Sequence, residues 1–399
     1  MFLTVKKYLD FESINPSIKY LSISAFFTGI ALGYFFTLLV IVQKLNEYSE
    51  SVIGIISASF SFGLMIAGFF VSKILAKMGL YRMLLLSVIL QTACVISIFI
   101  YFNAINLALC SFIMGVMGGM NWMTMDTWVN VVSNDKNRGK AIGLYNSSIS
   151  IGFAIGPLLV AIFGTQGLFP IMLCLLLMVI RIPALYIIKT HINNVKIPKQ
   201  VIKINFSFIK VAPFIFVAIF IGGINDSSFG ALFPAFMINE FFSDRAIGLY
   251  FFIGLFGGVI SQPFIGALTD KVDKRNFLFI LLICHIVWPL LLFNFIDMPL
   301  MISLSVIIWG FASISLYTVA LAYLGERVDI KEISIATSLF IITFEAGEFL
   351  GPIIVGVSMN TYGNSGFIYS ILLITLLSLF IGFIRSIYKV YGNSNYSGK

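Results

Sequence analysis

The chain has 399 residues, of which 59% are hydrophobic and 11% charged, and its mean hydropathy is +1.02. A soluble domain has roughly a quarter of its residues charged, so this composition excludes a soluble protein. The formal net charge is +8, from 25 Lys and Arg against 17 Asp and Glu. With His191 in a polar segment and His285 in an apolar one, no metal-ligand cluster can be drawn.

Twelve apolar stretches, taken in chain order, have the length of about 20 residues that a helix needs to cross a bilayer. They lie at 17–42, 51–73, 80–102, 105–130, 140–164, 168–188, 209–238, 246–268, 276–296, 299–323, 333–359 and 364–386. Such continuous apolar runs lack the alternation of β-barrel strands. We therefore predict an all-α integral membrane protein with twelve transmembrane helices and no separate soluble domain.

The basic residues predict the orientation of these helices. If the N-terminus is cytoplasmic, every Lys and Arg except Lys44, Arg245 and Arg181 falls in a cytoplasmic segment or at the helix end beside it. Such asymmetry in short loops sets membrane topology, so both termini are predicted to be cytoplasmic. Membrane insertion then accounts for the net charge, and no nucleic-acid partner is expected.

An internal repeat divides the chain into two halves. A shift of 194 or 195 residues aligns Gly29 with Gly223, and aligns the two Gly-x3-Gly-Pro sequences Gly152, Gly156, Pro157 and Gly347, Gly351, Pro352. Six helices followed by six form a parallel repeat of the kind that carriers use for alternating access. We predict a six-helix bundle at 1–188, a cytoplasmic linker at 189–208 and a second bundle at 209–399. The Gly-Pro sequences are expected to allow close packing and a local bend.

The segment SQPFIGALTDKVDKR, Ser261 to Arg275, resembles the cytoplasmic loop signature of the major facilitator superfamily (MFS), G-x-L-x-D-[RK]-x-G-[RK]-[RK]. The matching residues are Gly266, Leu268, Asp270, Lys271, Lys274 and Arg275, and Asp273 replaces the second glycine. In the first half, SKILAKMGLYR retains Lys77 and Gly79 and has Arg82 one place late. TMDTWVNVVSNDKNRGKAIGLY is similar to a branch of bacterial MFS carriers labelled sugar or drug transporters.

The resemblance implies the MFS fold, a monomer, and a conformational gate at these two loops. In that interpretation Gly266 lets two helices approach closely, and the basic residues pair with acidic residues opposite. The alternative is that the loop charges only anchor the protein at the lipid headgroups.

Two glutamates, Glu345 and Glu348, lie roughly 18 and 23 Å along the eleventh predicted helix, near its middle. A charged carboxylate at that depth costs a few kcal/mol or more, and the spacing of three places both on one helix face. Their repeat counterparts are Ser150 and Phe153, so the fold accepts uncharged side chains there. Two interpretations are open: a pair that binds protons or a cation during transport, or a structural pair satisfied by hydrogen bonds.

Five further polar residues lie within predicted spans. Asp226, with Asn225 in the Gly-rich sequence GGINDSSFG of the seventh helix, is a candidate cavity residue. Asp126 in the fourth helix is a candidate either for the inner gate, paired with Arg138 or Lys140, or for substrate contact. Arg181 in the sixth helix is expected to snorkel to the interface, with anion binding as the alternative. His285 is expected to be a hydrogen-bonded structural residue, with a proton relay as the alternative.

The predicted function is a secondary active transporter that moves a small organic solute across the cytoplasmic (inner) membrane. No Walker sequence is found, so we expect a gradient to drive transport, with protons as the candidate coupling ion and with no cofactor or metal. The membrane acids favour a cationic or neutral solute, and drug export and nutrient import both stay open. The alternatives are a transporter-like receptor or assembly factor, which binds without moving its ligand, and a membrane-embedded enzyme.

Overall fold

A computed structural model describes residues 16–133, 138–189, 205–269, 271–329 and 332–394, and within them all regular secondary structure is helical. The helices are α1 (Pro16–Leu45), α2 (Glu50–Met78), α3 (Leu80–Ile100), α4 (Ala104–Val132), α5 (Arg138–Phe163), α6 (Phe169–Val179), α7 (Arg181–Lys189), α8 (Ser207–Val211), α9 (Pro213–Asn239), α10 (Asp244–Thr269), α11 (Lys274–Asn294), α12 (Pro299–Arg327), α13 (Ile333–Tyr362) and α14 (Ser365–Ser394).

By length and composition, 12 segments of the described chain can cross a membrane. Each of them corresponds to one of the predicted stretches, and α6 and α7 together form the sixth span, Phe169–Ile187. The prediction of an all-helical protein with twelve membrane spans is therefore confirmed.

The sixth span is interrupted at Ile180, where α6 ends and α7 begins. Pro183 has no backbone N–H with which to bond the carbonyl of Val179 four residues earlier, so one helical hydrogen bond is lost at this point. Arg181 is the first residue after the interruption. The local sequence thus places a basic side chain beside a loosened turn.

The chain forms two compact units. Unit 1 comprises the described residues of Met1–Tyr48, Ile55–Val201 and Met237–Phe252. Unit 2 comprises those of Ser49–Gly54, Ile202–Phe236 and Ile253–Lys399. The beginning of α2 therefore belongs to unit 2, and the beginning of α10 belongs to unit 1.

Polar contacts attach these two helix starts to their units. In unit 1, Asp244 Oδ2 at the start of α10 accepts hydrogen bonds from the backbone N and the Oγ1 of Thr165, both at 2.8 Å. In unit 2, Ser51 Oγ near the start of α2 donates to the carbonyl of Gly356 at 3.3 Å.

In unit 2, α9 and α13 cross with their backbones in contact. A Cβ atom added at Gly223 would lie 2.2 Å from the carbonyl oxygen of Phe344, and one added at Gly347 would lie 2.1 Å from that of Phe220. No side chain fits at either position, so both residues must be glycine for the two helices to approach this closely.

The repeat partners of these glycines make the equivalent crossing in unit 1, between α1 and α5. A Cβ at Gly29 would lie 2.3 Å from the carbonyl oxygen of Ile149, and one at Gly152 would lie 2.2 Å from that of Phe26. The repeat seen in the sequence therefore corresponds to the same helix crossing in each unit.

Aromatic packing also constrains α9 at Phe229, six residues after Gly223 of the crossing with α13. The ring of Phe229 stacks on Trp309 of α12 at 3.5 Å and on Phe233 at 4.4 Å between centroids. Phe229 and Phe233 are fully buried, and Trp309 is nearly so. Polar residues between Gly223 and Phe229 are thus held on a helix segment that is constrained at both ends.

We expect Gly223→Ala and Gly230→Ala, two changes on the same helix, to have opposite effects. The Cβ atom introduced by Gly223→Ala overlaps the backbone of α13, which lowers the free energy of unfolding by about 1–3 kcal/mol. The second meets no atom within 4 Å and replaces a poor helix former, so it should be neutral or stabilising by up to about 1 kcal/mol. Thermal unfolding of both purified variants in detergent measures the difference. Equal midpoints would contradict the described crossing.

Candidate functional site

Three acidic residues lie together where α9 and α13 cross. Asp226 comes one turn after Gly223, and Glu348 directly follows Gly347. The carboxyl groups of Glu345 and Glu348 lie close enough to interact electrostatically with each other, and that of Glu348 also interacts with Asp226. All three side chains are partly buried. The structure therefore brings Asp226 of α9 together with the pair Glu345 and Glu348 of α13, which the sequence predicted on separate helices.

The charge of this cluster needs a partner. Neighbouring carboxyl groups repel each other when both are ionised, so a proton on one of them is favoured. Among the described residues, no Lys, Arg or His nitrogen lies within 4.0 Å of the three carboxyl groups. One oxygen of Glu345, Oε2, is buried without a hydrogen-bond partner in the described part of the chain. The cluster can thus bind protons or a cationic group, because negative charge at this depth is costly unless it is neutralised.

The geometry does not indicate a metal centre. Within the described parts of the chain, no group of three or more His, Cys, Asp or Glu is arranged to hold a metal ion.

Asn225 is turned away from this cluster although it precedes Asp226. Its Nδ2 donates to the carbonyl of Ile221 at 3.0 Å and to Oγ1 of Thr375 on α14 at 3.5 Å. The side chain is fully buried, and its Oδ1 has no partner. Of the predicted pair, only Asp226 belongs to the acidic cluster.

Aromatic rings of α12 and α13 pack against each other next to Glu345 in the sequence. Tyr317 packs edge-on against Phe344, which precedes Glu345, with 5.3 Å between ring centroids. Tyr317 makes a similar contact with Phe340 at 5.2 Å. Sequence reasoning did not single out Tyr317, because its position within GFASISLYTVALAY gives no sign that it reaches α13.

Arg181 is fully buried in unit 1, so the expectation that it snorkels to the interface is wrong. Its Nε donates to Thr28 Oγ1 on α1 at 3.1 Å, and its Nη1 donates to Gln91 Oε1 on α3 at 2.8 Å. Snorkelling requires an uninterrupted path along the lipid face, whereas this side chain is directed from the sixth span toward two other helices. Its Nη2 has no hydrogen-bond partner among the residues that the structure describes.

The sequence carried a signal for this network that was missed. The repeat shift of 194 residues aligns Gln91 with His285, and Arg181 with Thr375. Both halves therefore carry polar residues at these two interior positions. Gln91 could have been identified from the repeat, whereas the counterpart of Thr28 is Gly222. Neither Gln91 nor Thr28 is charged, so neither attracts notice when the sequence is examined alone.

His285 on α11 is fully buried in unit 2. Its Nδ1 lies 2.9 Å from the carbonyl oxygen of Leu281, one turn earlier on the same helix, while Nε2 has no partner. The first contact agrees with the structural interpretation of His285. The unpartnered Nε2 leaves the relay interpretation open as well.

Asp126 lies on α4 beside the buried hydroxyl group of Tyr145 on α5. The two groups interact without reaching full hydrogen-bond geometry. The side chain of Arg138 lies outside the described residues. Pairing of Asp126 with Arg138 or Lys140 therefore stays a prediction.

The second-half signature loop contains an ion pair within unit 2. Lys274 Nζ lies 2.6 Å from Glu326 Oε1 at the end of α12. Asp273 caps α11, because its Oδ1 accepts a hydrogen bond from the backbone N of Asn276 at 2.8 Å. This cap accounts for an aspartate where the signature has a glycine. Asp270 lies outside the described residues.

Two glycines of the signature loops behave differently from each other. Gly79 separates α2 from α3 with φ of 75°, in the left-handed region that favours glycine. At Gly266, a Cβ would meet no described atom within 4 Å. The expectation that Gly266 permits a close helix approach therefore has no support among the described residues and stays a prediction.

The profile of the Major Facilitator Superfamily matches residues 21–215 and again residues 215–395. The chain belongs to the Major Facilitator Superfamily. The double match agrees with the repeat, each half of the chain being matched by the same profile. The membership predicted from the signature loops is confirmed, and it places the protein among transporters and not among enzymes.

Relatives of similar length are found in bacteria. The chain is 24% identical over 367 residues to "Uncharacterized MFS-type transporter YfkF" of Bacillus subtilis (strain 168), covering 90% of this chain and 92% of the relative. It is 21% identical over 340 residues to "Uncharacterized MFS-type transporter YcaD" of Escherichia coli O45:K1 (strain S88 / ExPEC), covering 84% and 87%.

Among solved structures, the nucleoside transporter NupG has the same fold. A crystal structure of a NupG point mutant matches with a TM-score of 0.79 at 12% identity, over 92% of this chain and 99% of that one. A second NupG structure gives 0.75 at 14% identity, over 93% and 98%. At these identities the likeness shows the fold alone.

Proposed function

We propose that this MFS protein is a secondary active transporter that moves a small organic solute by alternating access and couples this movement to protons. The observation that supports the proposal is the cluster of Asp226, Glu345 and Glu348 where α9 and α13 cross in unit 2, with no Lys, Arg or His nitrogen within 4.0 Å among the described residues. Ionisable groups inside a membrane span mark ion and substrate pathways.

The cluster can couple protons to movement through the cost of buried charge. When its carboxyl groups are protonated, the cluster is neutral and can be enclosed between helices at low cost. When a proton leaves, the remaining charge favours a conformation in which water or a cationic solute reaches Glu348. Because α9 and α13 meet backbone to backbone at Gly223 and Gly347, a small shift between them changes the separation of Asp226 and Glu348.

The cluster and its aromatic neighbours favour a cationic or neutral solute. Carboxylates attract an ammonium group, and the rings of Tyr317 and Phe344 offer π-faces or apolar contact. The nucleoside transporter NupG shares only the fold with this chain. Nucleosides are therefore one class of candidate solute, with no more support than amines or sugars. Drug export and nutrient import both fit this chemistry.

The two signature loops serve as the conformational gate in this proposal. The gate residues are Lys271, Lys274 and Arg275 in the second half, with Asp270 as the acidic member, and Lys77, Gly79 and Arg82 in the first half. The pair of Lys274 with Glu326 links α11 to the end of α12, so the second-half loop would move together with α12.

We further propose that the protein lies in the cytoplasmic membrane as a monomer with both termini in the cytoplasm. The distribution of Lys and Arg supports this orientation. A reporter fused after Lys399 that matures only in the cytoplasm should be active. If a reporter that matures only outside the cytoplasm is active after Lys399 instead, the proposed orientation is reversed.

We expect Asp226→Asn to uncouple transport from protons. A panel of nucleosides, sugars and organic amines is first screened for solutes that raise the unfolding temperature of the purified protein. Proteoliposomes with an imposed pH gradient then accumulate the solute found. Accumulation should fall by about 5- to 150-fold in the variant, the range typical of coupling energies, while downhill exchange persists.

Asp297→Asn is the matched control. Asp297 is an acid in the connection between α11 and α12, and it belongs to neither of the two helices, α9 and α13, that carry the cluster. It should leave accumulation unchanged. Unchanged accumulation in Asp226→Asn would contradict the role of the cluster. Solute binding without any flux in wild type would instead favour the transporter-like receptor.

A further inference from the structure

The guanidinium group of Arg181 is oriented by uncharged partners from three spans. Nε donates to Thr28 Oγ1 on α1 at 3.1 Å, and Nη1 donates to Gln91 Oε1 on α3 at 2.8 Å. Nη1 also lies 3.7 Å from the sulfur of Met178 on α6. The Thr28 hydroxyl donates its own hydrogen to the carbonyl of Ser24 at 2.9 Å, so its lone pairs are available to Arg181. The side chain is thus fixed in place.

These contacts orient the positive charge without neutralising it. In the described chain, no carboxylate oxygen lies within 4.0 Å of Arg181. The residue is 0% exposed, so water does not reach it from outside the protein. An uncompensated buried charge is strongly unfavourable, and arginine in a membrane span normally has a counter-charge or a polar surrounding.

One end of the guanidinium is open to a ligand. Nη2 has two N–H groups, and neither has a hydrogen-bond partner among the described residues. Nearly all buried polar groups in folded proteins are bonded, which makes two orphan donors on one nitrogen a feature that requires an explanation. Guanidinium N–H groups bind carboxylates and other anions with short, charge-assisted hydrogen bonds.

The fold does not require a cation at this place. The residue equivalent to Arg181 in the second half is Thr375, which is also fully buried and bonds to Asn225. A hydroxyl group therefore serves for packing at the equivalent position of unit 2. Arg181, like Glu345 and Glu348, is a charged addition to a position where the repeat accepts an uncharged side chain.

We propose that Arg181 forms an anion-binding site inside unit 1, with Nη2 as the donor to a monovalent anion and with Thr28 and Gln91 as positioning residues. The ligand is a carboxylate group or a small inorganic anion. The site is enclosed in the described conformation, so the anion enters and leaves when α1 or α3 moves away from the sixth span. The proposal does not depend on proton coupling, since binding can be measured without transport.

The test uses purified protein in detergent at constant ionic strength, with sodium methanesulfonate, a reference salt without a carboxylate, replaced stepwise by sodium bromide or sodium benzoate. We expect a saturable rise in the unfolding temperature of wild type. Arg181→Gln should abolish the rise, and Arg181→Lys should retain part of it. A response to benzoate alone identifies an organic carboxylate as the ligand class, whereas a response to both anions includes small inorganic ones.

Arg245→Gln is the matched control, because Arg245 is an arginine at the start of α10 and outside the Arg181 network. It should respond to both anions as wild type does. No saturable response in wild type, or an equal response in Arg181→Gln, would overturn the proposal.

A second measurement needs no variant and covers the case in which Arg181→Gln does not fold. Wild-type crystals grown in bromide should show anomalous scattering next to Nη2 of Arg181, or crystals grown in benzoate should show the density of its carboxylate there. An ordered water at that position in both crystals would show that Nη2 is solvated by water, and the anion site would be wrong.

Discussion

A charged group in the middle of a bilayer must be neutralised, paired or enclosed by protein, and this constraint organises the molecule. Two features respond to it in different ways. Asp226, Glu345 and Glu348 lie together in unit 2, where their mutual repulsion favours the binding of protons. Arg181 lies in unit 1, where neutral acceptors hold it in place and, within the described chain, leave its charge uncompensated. These negative and positive groups thus belong to different repeats.

Glycine determines where the acidic cluster can form. The contact of α9 with α13 has no side chains between the backbones at Gly223 and Gly347, and the acids occupy the helix positions that flank this contact. The same glycine crossing in unit 1, at Gly29 and Gly152, carries uncharged residues at the equivalent positions. Of the two equivalent crossings, only the one in the second half therefore carries acidic residues. This difference is consistent with a common scaffold and a function specific to the second half.

Much of the fold was predictable because its signals are long or repeated. Each span is about 20 apolar residues, and the repeat predicted the two halves. The spacing of Glu345 and Glu348 also predicted a shared helix face. By contrast, the contact of Asp226 with Glu348 depends on how two distant helices pack, which no local pattern specifies.

The errors have a similar physical origin. Sequence places Arg181 at a depth in the membrane but does not say which way its side chain turns, so snorkelling was expected where the structure shows burial. Thr28 and Gln91 were missed because an uncharged side chain becomes informative only when its partner is known.

The most direct test of the central claim is proton release or uptake by purified protein in weakly buffered detergent solution as candidate solutes are added. Wild type is measured beside the double variant Glu345→Gln/Glu348→Gln. If the acidic cluster couples solute to protons, a solute that binds will produce a proton signal in wild type that the double variant lacks. A solute that binds wild type without moving protons, or that gives the same signal in both proteins, would contradict the account and return the two glutamates to a structural role.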